Sequence, residues 1–104
     1  MQDIQRYCDA IAAAYRPQRI ILFGSHAYGE PDLDSDVDAL VVMPTSKRLK
    51  PRVSLEIRER IEANFPVDII VRDPAFVAAR LHEGDTFLQE ITGKGGVMYE
   101  GRDA

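Results

Sequence analysis

Apolar residues recur at helical spacing from Asp3 to Tyr15, where Ile4, Tyr7, Cys8, Ile11 and Ala14 or Tyr15 share one side and Asp3 stands as a cap. This predicts an amphipathic helix packed on a sheet. Pro17 stops it, and the run Arg19 to Phe23 reads as a buried strand. Ser25 to Tyr28 is expected to make one or two helical turns that Gly29 ends, and Val37 to Met43 a second strand that Pro44 closes. Pro51 suits a first helical turn, with Val53, Ile57 and Ile61 lining one face of a helix running to about Asn64. Pro66 ends that segment. Val67 to Val71 is the third strand, and Asp73-Pro74 is a cap followed by a proline, opening a helix to about His82. Thr86-x-x-Gln89 resembles a capping box, so a short helix is expected from Thr86 to Ile91, ending at Gly93, with Val97 to Glu100 as a fourth strand. The pattern is that of an α/β (α+β) chain, a small sheet of three to four strands flanked by helices.

Composition narrows the class. At 104 residues, 45% hydrophobic and 29% charged, the chain is expected to form one globular domain spanning residues 1–104. Its formal net charge of −4 argues against an extended contact with nucleic acid, which needs a Lys/Arg surface. The one local basic cluster, Lys47-Arg48-Leu49-Lys50-Pro51-Arg52, reads as a solvated loop at a helix start. Cys8 is the only cysteine, which rules out an intramolecular disulfide and suits a reducing cytoplasm; its place among the apolar positions of the first helix makes it a small core residue. With no signal peptide and no stretch of about 20 apolar residues, neither secretion nor membrane spanning is expected.

The chemistry concentrates in two runs, Leu22-Phe23-Gly24-Ser25-His26-Ala27-Tyr28-Gly29 and Asp34-Ser35-Asp36-Val37-Asp38-Ala39-Leu40-Val41-Val42. In the first, Gly24 lets a ligand approach the backbone, while Ser25 offers a hydroxyl and an N–H where a helix begins. In the second, Asp36 and Asp38 stand two apart on a strand and project from the same face. Like charges so close repel unless a cation lies between them, and Mg²⁺ binds through one or two such carboxylates plus water and phosphate oxygens. Taken singly, a Gly-Ser turn is usually a plain strand-to-turn transition and Asp-x-Asp a solvated loop. Their order and spacing together point to one site.

Rival motifs fail on spacing. Asp32, Asp34, Asp36 and Asp38 alternate as in a calcium loop, but a loop begun at Asp34 puts Ala39 and Thr45 where Gly and Glu belong, and one begun at Asp32 puts Val37 and Met43 there. Asp32 and Asp34 are therefore read as loop residues after Pro31. Gly93-Lys94-Gly95-Gly96 is not a phosphate loop, since Leu88 occupies the place of its first Gly and Gly95 that of its Ser or Thr. His26 and His82 read as surface or hydrogen-bonded residues, although His26 lies within the first run.

These residues resemble the signature of the DNA polymerase β-like nucleotidyltransferase superfamily, and the short chain points to its minimal nucleotidyltransferase branch. The resemblance covers roughly residues 19 to 72 closely. It implies the nucleotidyltransferase fold with a mixed sheet, and a third carboxylate from a later strand, for which Asp68 in Pro66-Val67-Asp68-Ile69-Ile70-Val71 fits. By the resemblance, Asp36, Asp38 and Asp68 are the catalytic metal ligands for two Mg²⁺ ions, with Asp68 on the acceptor side. Gly24 and Ser25 would hold the β- and γ-phosphates of ATP. In the family the minimal enzyme pairs as an antitoxin with a helical HEPN-type toxin and transfers AMP to a tyrosine of that partner. This implies a cytoplasmic hetero-oligomer. Many relatives carry a basic residue where this chain has Tyr28, so the turn lacks a cation that would help hold a triphosphate. Two other readings stand beside this one: a non-catalytic module that neutralises its partner by binding, and a small-molecule transferase of the aminoglycoside-modifying kind, against which the shortness of the chain argues.

Overall fold

A computed structural model describes residues 2–29, 36–46 and 50–101. Asp32, Asp34 and the basic residues Lys47 and Arg48 lie outside the described residues, and with them the two loop readings made above. The elements in chain order are α1 (Gln2–Tyr15), β1 (Arg19–Phe23), α2 (Ser25–Tyr28), β2 (Val37–Val42), α3 (Lys50–Arg60), β3 (Val67–Arg72), α4 (Pro74–His82), α5 (Thr86–Lys94) and β4 (Gly96–Glu100).

The strands form a mixed four-stranded sheet in the order β3-β2-β1-β4. β1 runs antiparallel to both β2 and β4, whereas β2 and β3 are parallel. A parallel pair cannot be joined by a tight turn, so α3 makes the crossover. β2 lies in the interior of the sheet and is covered on both faces, which explains its nearly continuous apolar run. Val37, Ala39 and Val41 pack with Ile20 and Leu22 of β1 against Ile4, Tyr7, Cys8 and Ile11 of α1 and Ile57 of α3. Leu40 and Val42 pack on the other face with Ile21, Phe23, Val77 of α4, and Leu88 and Ile91 of α5. Strand alternation puts Asp38 on this second face, as the one charged residue of β2.

Several boundaries differ from the sequence reading, each for a local reason. α1 begins at Gln2, so Asp3 lies inside the first turn instead of capping it. It ends as expected before Pro17, through Arg16 in a left-handed conformation (φ 48°) whose N–H still reaches Ala12 O at 2.9 Å. α3 stops at Arg60, short of Asn64, because the chain must turn extended before Pro66 and because Phe65 swings back to meet the Tyr7 ring edge-to-face at 5.6 Å. The cap of α5 is Asp85, not Thr86: its carboxylate accepts from Leu88 N at 3.0 Å. α5 also runs through Gly93 to Lys94 and is closed by Gly95, where a Cβ would collide with Ile21 of β1 and the Leu22 carbonyl. Close approach to the sheet, and not a left-handed turn at Gly93, sets the end of that helix. Asp73 caps α4 as its sequence foretells, accepting from Ala75 N at 2.9 Å. No helix among the described residues is long and apolar enough to cross a membrane.

Candidate active site

The site assembles at one end of the sheet, where β1 finishes and β2 and β3 begin. The register puts Phe23 beside Asp38 across β1 and β2, and Asp38 beside Asp68 across β2 and β3. Residues paired in register point to the same face, and neighbouring strands lie about 4.8 Å apart, so Asp38 and Asp68 emerge side by side. Asp36 precedes β2 by one residue and shares their side by alternation; it is exposed, as is Asp68, while Asp38 is half-buried.

Gly24 follows β1 directly and takes φ 76° and ψ −163°, a backbone region open in practice only to glycine. It lies under the Asp38 side chain so tightly that a Cβ there would fall on Oδ2. The Gly24 carbonyl then accepts from Ala27 N at 3.0 Å and Tyr28 N at 3.1 Å, winding the chain into α2, which Gly29 closes in the left-handed region. Ser25 thus stands at the first position of α2, beside the residue that touches Asp38.

Electrostatics ties these groups together. Burial holds the Asp38 carboxyl above its ordinary pKa, the charges of Asp68 and Asp36 raise it further, and His26 partly offsets them. All three carboxylates therefore lie within reach of one another's fields. Their chemistry suits a hard cation such as Mg²⁺: oxygen donors only, and a repulsion that a cation would relieve. Among the described residues, however, no three His, Cys, Asp or Glu side chains are already gathered around a common point able to hold a metal. The structure brings Gly24, Asp38 and Asp68 together, with Ser25 beside them and Asp36 exposed one residue before β2. His26, ranked low from the sequence, is part of this field. Phe87 is an aromatic neighbour that sequence reading missed: its ring meets Phe23 edge-to-face at 5.8 Å, and Phe23 is the cross-strand partner of Asp38. No spacing rule connects α5 to the Gly-Ser turn, so only the tertiary fold reveals it.

Asp38 on the interior strand β2, Asp68 in register with it on β3, and the glycine turn pressed against Asp38 thus lie together at one end of the sheet. Residues 4–91 match the family described as the nucleotidyltransferase domain, and the chain belongs to that family. Over 76 residues it is 29% identical to an inferred protein adenylyltransferase of Methanocaldococcus jannaschii, covering 70% of this chain and 77% of that protein. In fold it is similar to an inferred nucleotidyltransferase of Sulfolobus solfataricus (TM-score 0.64, 18% identity, 98% of this chain and 80% of that one). It is also similar to a chain of a toxin–antitoxin structure with AMP-PNP (TM-score 0.60, 17% identity, 95% and 75% covered). A third likeness is to a chain of the toxin–antitoxin pair MntA–HpeT, in a mutant with two aspartates two positions apart changed to glutamate (TM-score 0.58, 14% identity, 95% and 75% covered).

Proposed function

We propose that this nucleotidyltransferase moves AMP from ATP to a tyrosine hydroxyl of a helical, HEPN-type toxin and thereby acts as its antitoxin. The observation that carries the reading is the close approach of Gly24 to Asp38, in register with Asp68: it sets the Gly24-Ser25 turn beside paired carboxylates. The adenylyltransferase relative supports AMP as the transferred group, and the toxin–antitoxin likenesses support a protein partner.

In the transfer, the acceptor oxygen bonds to the α-phosphorus, the bond to the bridging oxygen breaks, pyrophosphate leaves and the hydroxyl proton is lost. Backbone N–H groups at Gly24 and Ser25, with the Ser25 hydroxyl, hold the β- and γ-phosphates. Mg²⁺ held by Asp36, Asp38 and Asp68 would neutralise the triphosphate and acidify the acceptor hydroxyl. Asp68 sits exposed on β3, an edge strand, where a partner's tyrosine can approach it and where its carboxylate can take the proton. Catalysis by this site is positioning and electrostatics, with no covalent protein intermediate. The setting is the reducing cytoplasm, consistent with Cys8 as a buried free thiol.

The test is intact-mass measurement of the partner protein after incubation with this chain, ATP and Mg²⁺. One AMP mass added per transfer, mapped by peptide sequencing to tyrosine, is the expected result. No mass change on the partner, with ATP bound, refutes a protein acceptor.

A further inference from the structure

Next to the carboxylates, on the same sheet face, a groove of about 190 Å³ opens between the strands and helices α4 and α5. Leu40 and Ile70 floor it, and Phe76, Phe87 and Arg80 wall it. Leu40 and Ile70 follow Asp38 and Asp68 by two residues on their strands, which puts them about 7 Å away along the sheet. Phe87 belongs to both places, since it lines the groove and packs on Phe23 beside Asp38. Phe87 and Phe76 are 51% and 41% exposed. A single exposed aromatic is ordinary, but two lining one groove that borders an active site form a stacking surface. The Arg80 guanidinium is fixed at the rim by Asp85 at 3.0 Å and Glu83 at 3.3 Å, so planar donors and acceptors edge the apolar slot.

The geometry of phosphoryl transfer says what such a slot would take, and the argument rests on the adenylyl transfer proposed above. Attacking and leaving oxygens lie roughly in line through the phosphorus. With the leaving phosphates at Gly24 and Ser25 beyond β1, and the acceptor at Asp68 on β3, that line runs across the strands. The nucleoside is the remaining large substituent on the α-phosphorus and must leave the line sideways. Along β2 and β3 the walled direction leads into the groove. We infer that this groove is the nucleobase subsite: the base lies over Leu40 and Ile70 with its face against Phe87, and Phe76 closes the far side. Phe87 is then a specificity-determining residue that binds the donor without touching the reacting phosphorus.

Titration calorimetry on the full chain with Mg²⁺ tests this, using ATP and inorganic tripolyphosphate as probes. Phe87→Ala is expected to weaken ATP binding about tenfold, equivalent to about 1.4 kcal/mol, with tripolyphosphate changed less than about twofold. Phe87→Tyr, which keeps the ring, is expected to restore ATP affinity. Phe76→Ala is the second variant should Phe87→Ala melt too low to measure, and it is expected to weaken ATP selectively as well. If wild type binds ATP no tighter than tripolyphosphate, or if both probes weaken equally in the variants, the base does not use the groove while the phosphate site stands. If Phe87→Ala keeps full ATP affinity yet loses transfer to the partner, the groove takes the acceptor side chain and the inference is overturned. If wild type binds neither probe, the proposed transfer falls and the groove assignment with it.

Discussion

Gly24 offers a quantitative test of the site's construction. Its φ and ψ of 76° and −163° lie where a residue with a Cβ costs on the order of 1–3 kcal/mol. A Cβ there also lands on the Asp38 carboxylate, with Asp38 Cγ at 3.3 Å and Cβ at 3.5 Å behind it, so rotating the carboxylate alone does not clear the space. Overpacking of this kind adds about 1 kcal/mol or more. Gly24→Ala is therefore expected to lose about 3 kcal/mol, a Tm fall of roughly 12 °C or more for a chain of this size. Gly29 supplies the control: it too has positive φ, 90°, but a Cβ there meets nothing within 4 Å. Gly29→Ala is expected to lose only about 1 kcal/mol. A double-mutant cycle with Asp38→Ala, followed by thermal or urea unfolding, isolates the contact; about 1 kcal/mol of the Gly24→Ala loss is expected to vanish when the carboxylate is gone. Equal losses at Gly24 and Gly29, with no coupling to Asp38, would refute the argument that this glycine is required by the carboxylate above it.

The carboxylate cluster also predicts a pH signature. Because burial and the charges of Asp68 and Asp36 raise the Asp38 pKa, the folded protein binds that proton more tightly than the unfolded chain, so stability falls as pH rises through the folded pKa. In metal-free buffer Asp38→Asn is thus expected to melt above wild type at pH 7, an advantage that disappears below the ordinary carboxylate range, while transfer falls at least about a hundredfold; a lower Tm at pH 7 would make Asp38 a structural residue. Asp68→Asn is expected to lower kcat about a hundredfold with ATP affinity nearly unchanged, and Ser25→Ala to weaken ATP about tenfold, as steady-state kinetics and calorimetry would separate. Equal loss of binding in both would contradict the division between acceptor and phosphate sides. Burial, with a smaller push from Asp9, drives the Cys8 thiol up to about 11, so iodoacetamide at pH 8 is expected to leave the folded chain unmodified and to alkylate it in denaturant.

Where the sequence carries its own punctuation, the fold was legible. Pro17, Gly29 and the Asp73-Pro74 cap mark ends that the structure keeps, and the continuous run of β2 fits a strand buried on both faces. Asp38 and Asp68 are thirty positions apart, and their pairing depends on a parallel register that local pattern cannot state; the family resemblance supplied that link. Asp36 follows the expected alternation yet stands just outside β2, exposed. The misread ends lie where tertiary contact outweighs local signal. α3 ends at Arg60 while Phe65 packs on Tyr7, Gly95 is chosen by its approach to Ile21, and Asp85 outreaches Thr86 for the amide of Leu88. The Phe87 wall was illegible for the same reason, since it is an exposed position on a surface helix until the sheet places Phe23 beneath it.

The central claim, that the chain silences its partner by catalysis at Asp36 and Asp38, is tested most directly by titrating the partner's toxic activity with wild type and the Asp36→Asn/Asp38→Asn double mutant in ATP and Mg²⁺. A catalyst turns over, so wild type is expected to neutralise a molar excess of partner, with one AMP mass added per transfer and none from the double mutant. A pure binder must instead saturate its target by mass action. Neutralisation by the double mutant at the same dose as wild type, stoichiometric in both and without a mass change, would contradict the enzymatic account and leave a binding module in its place.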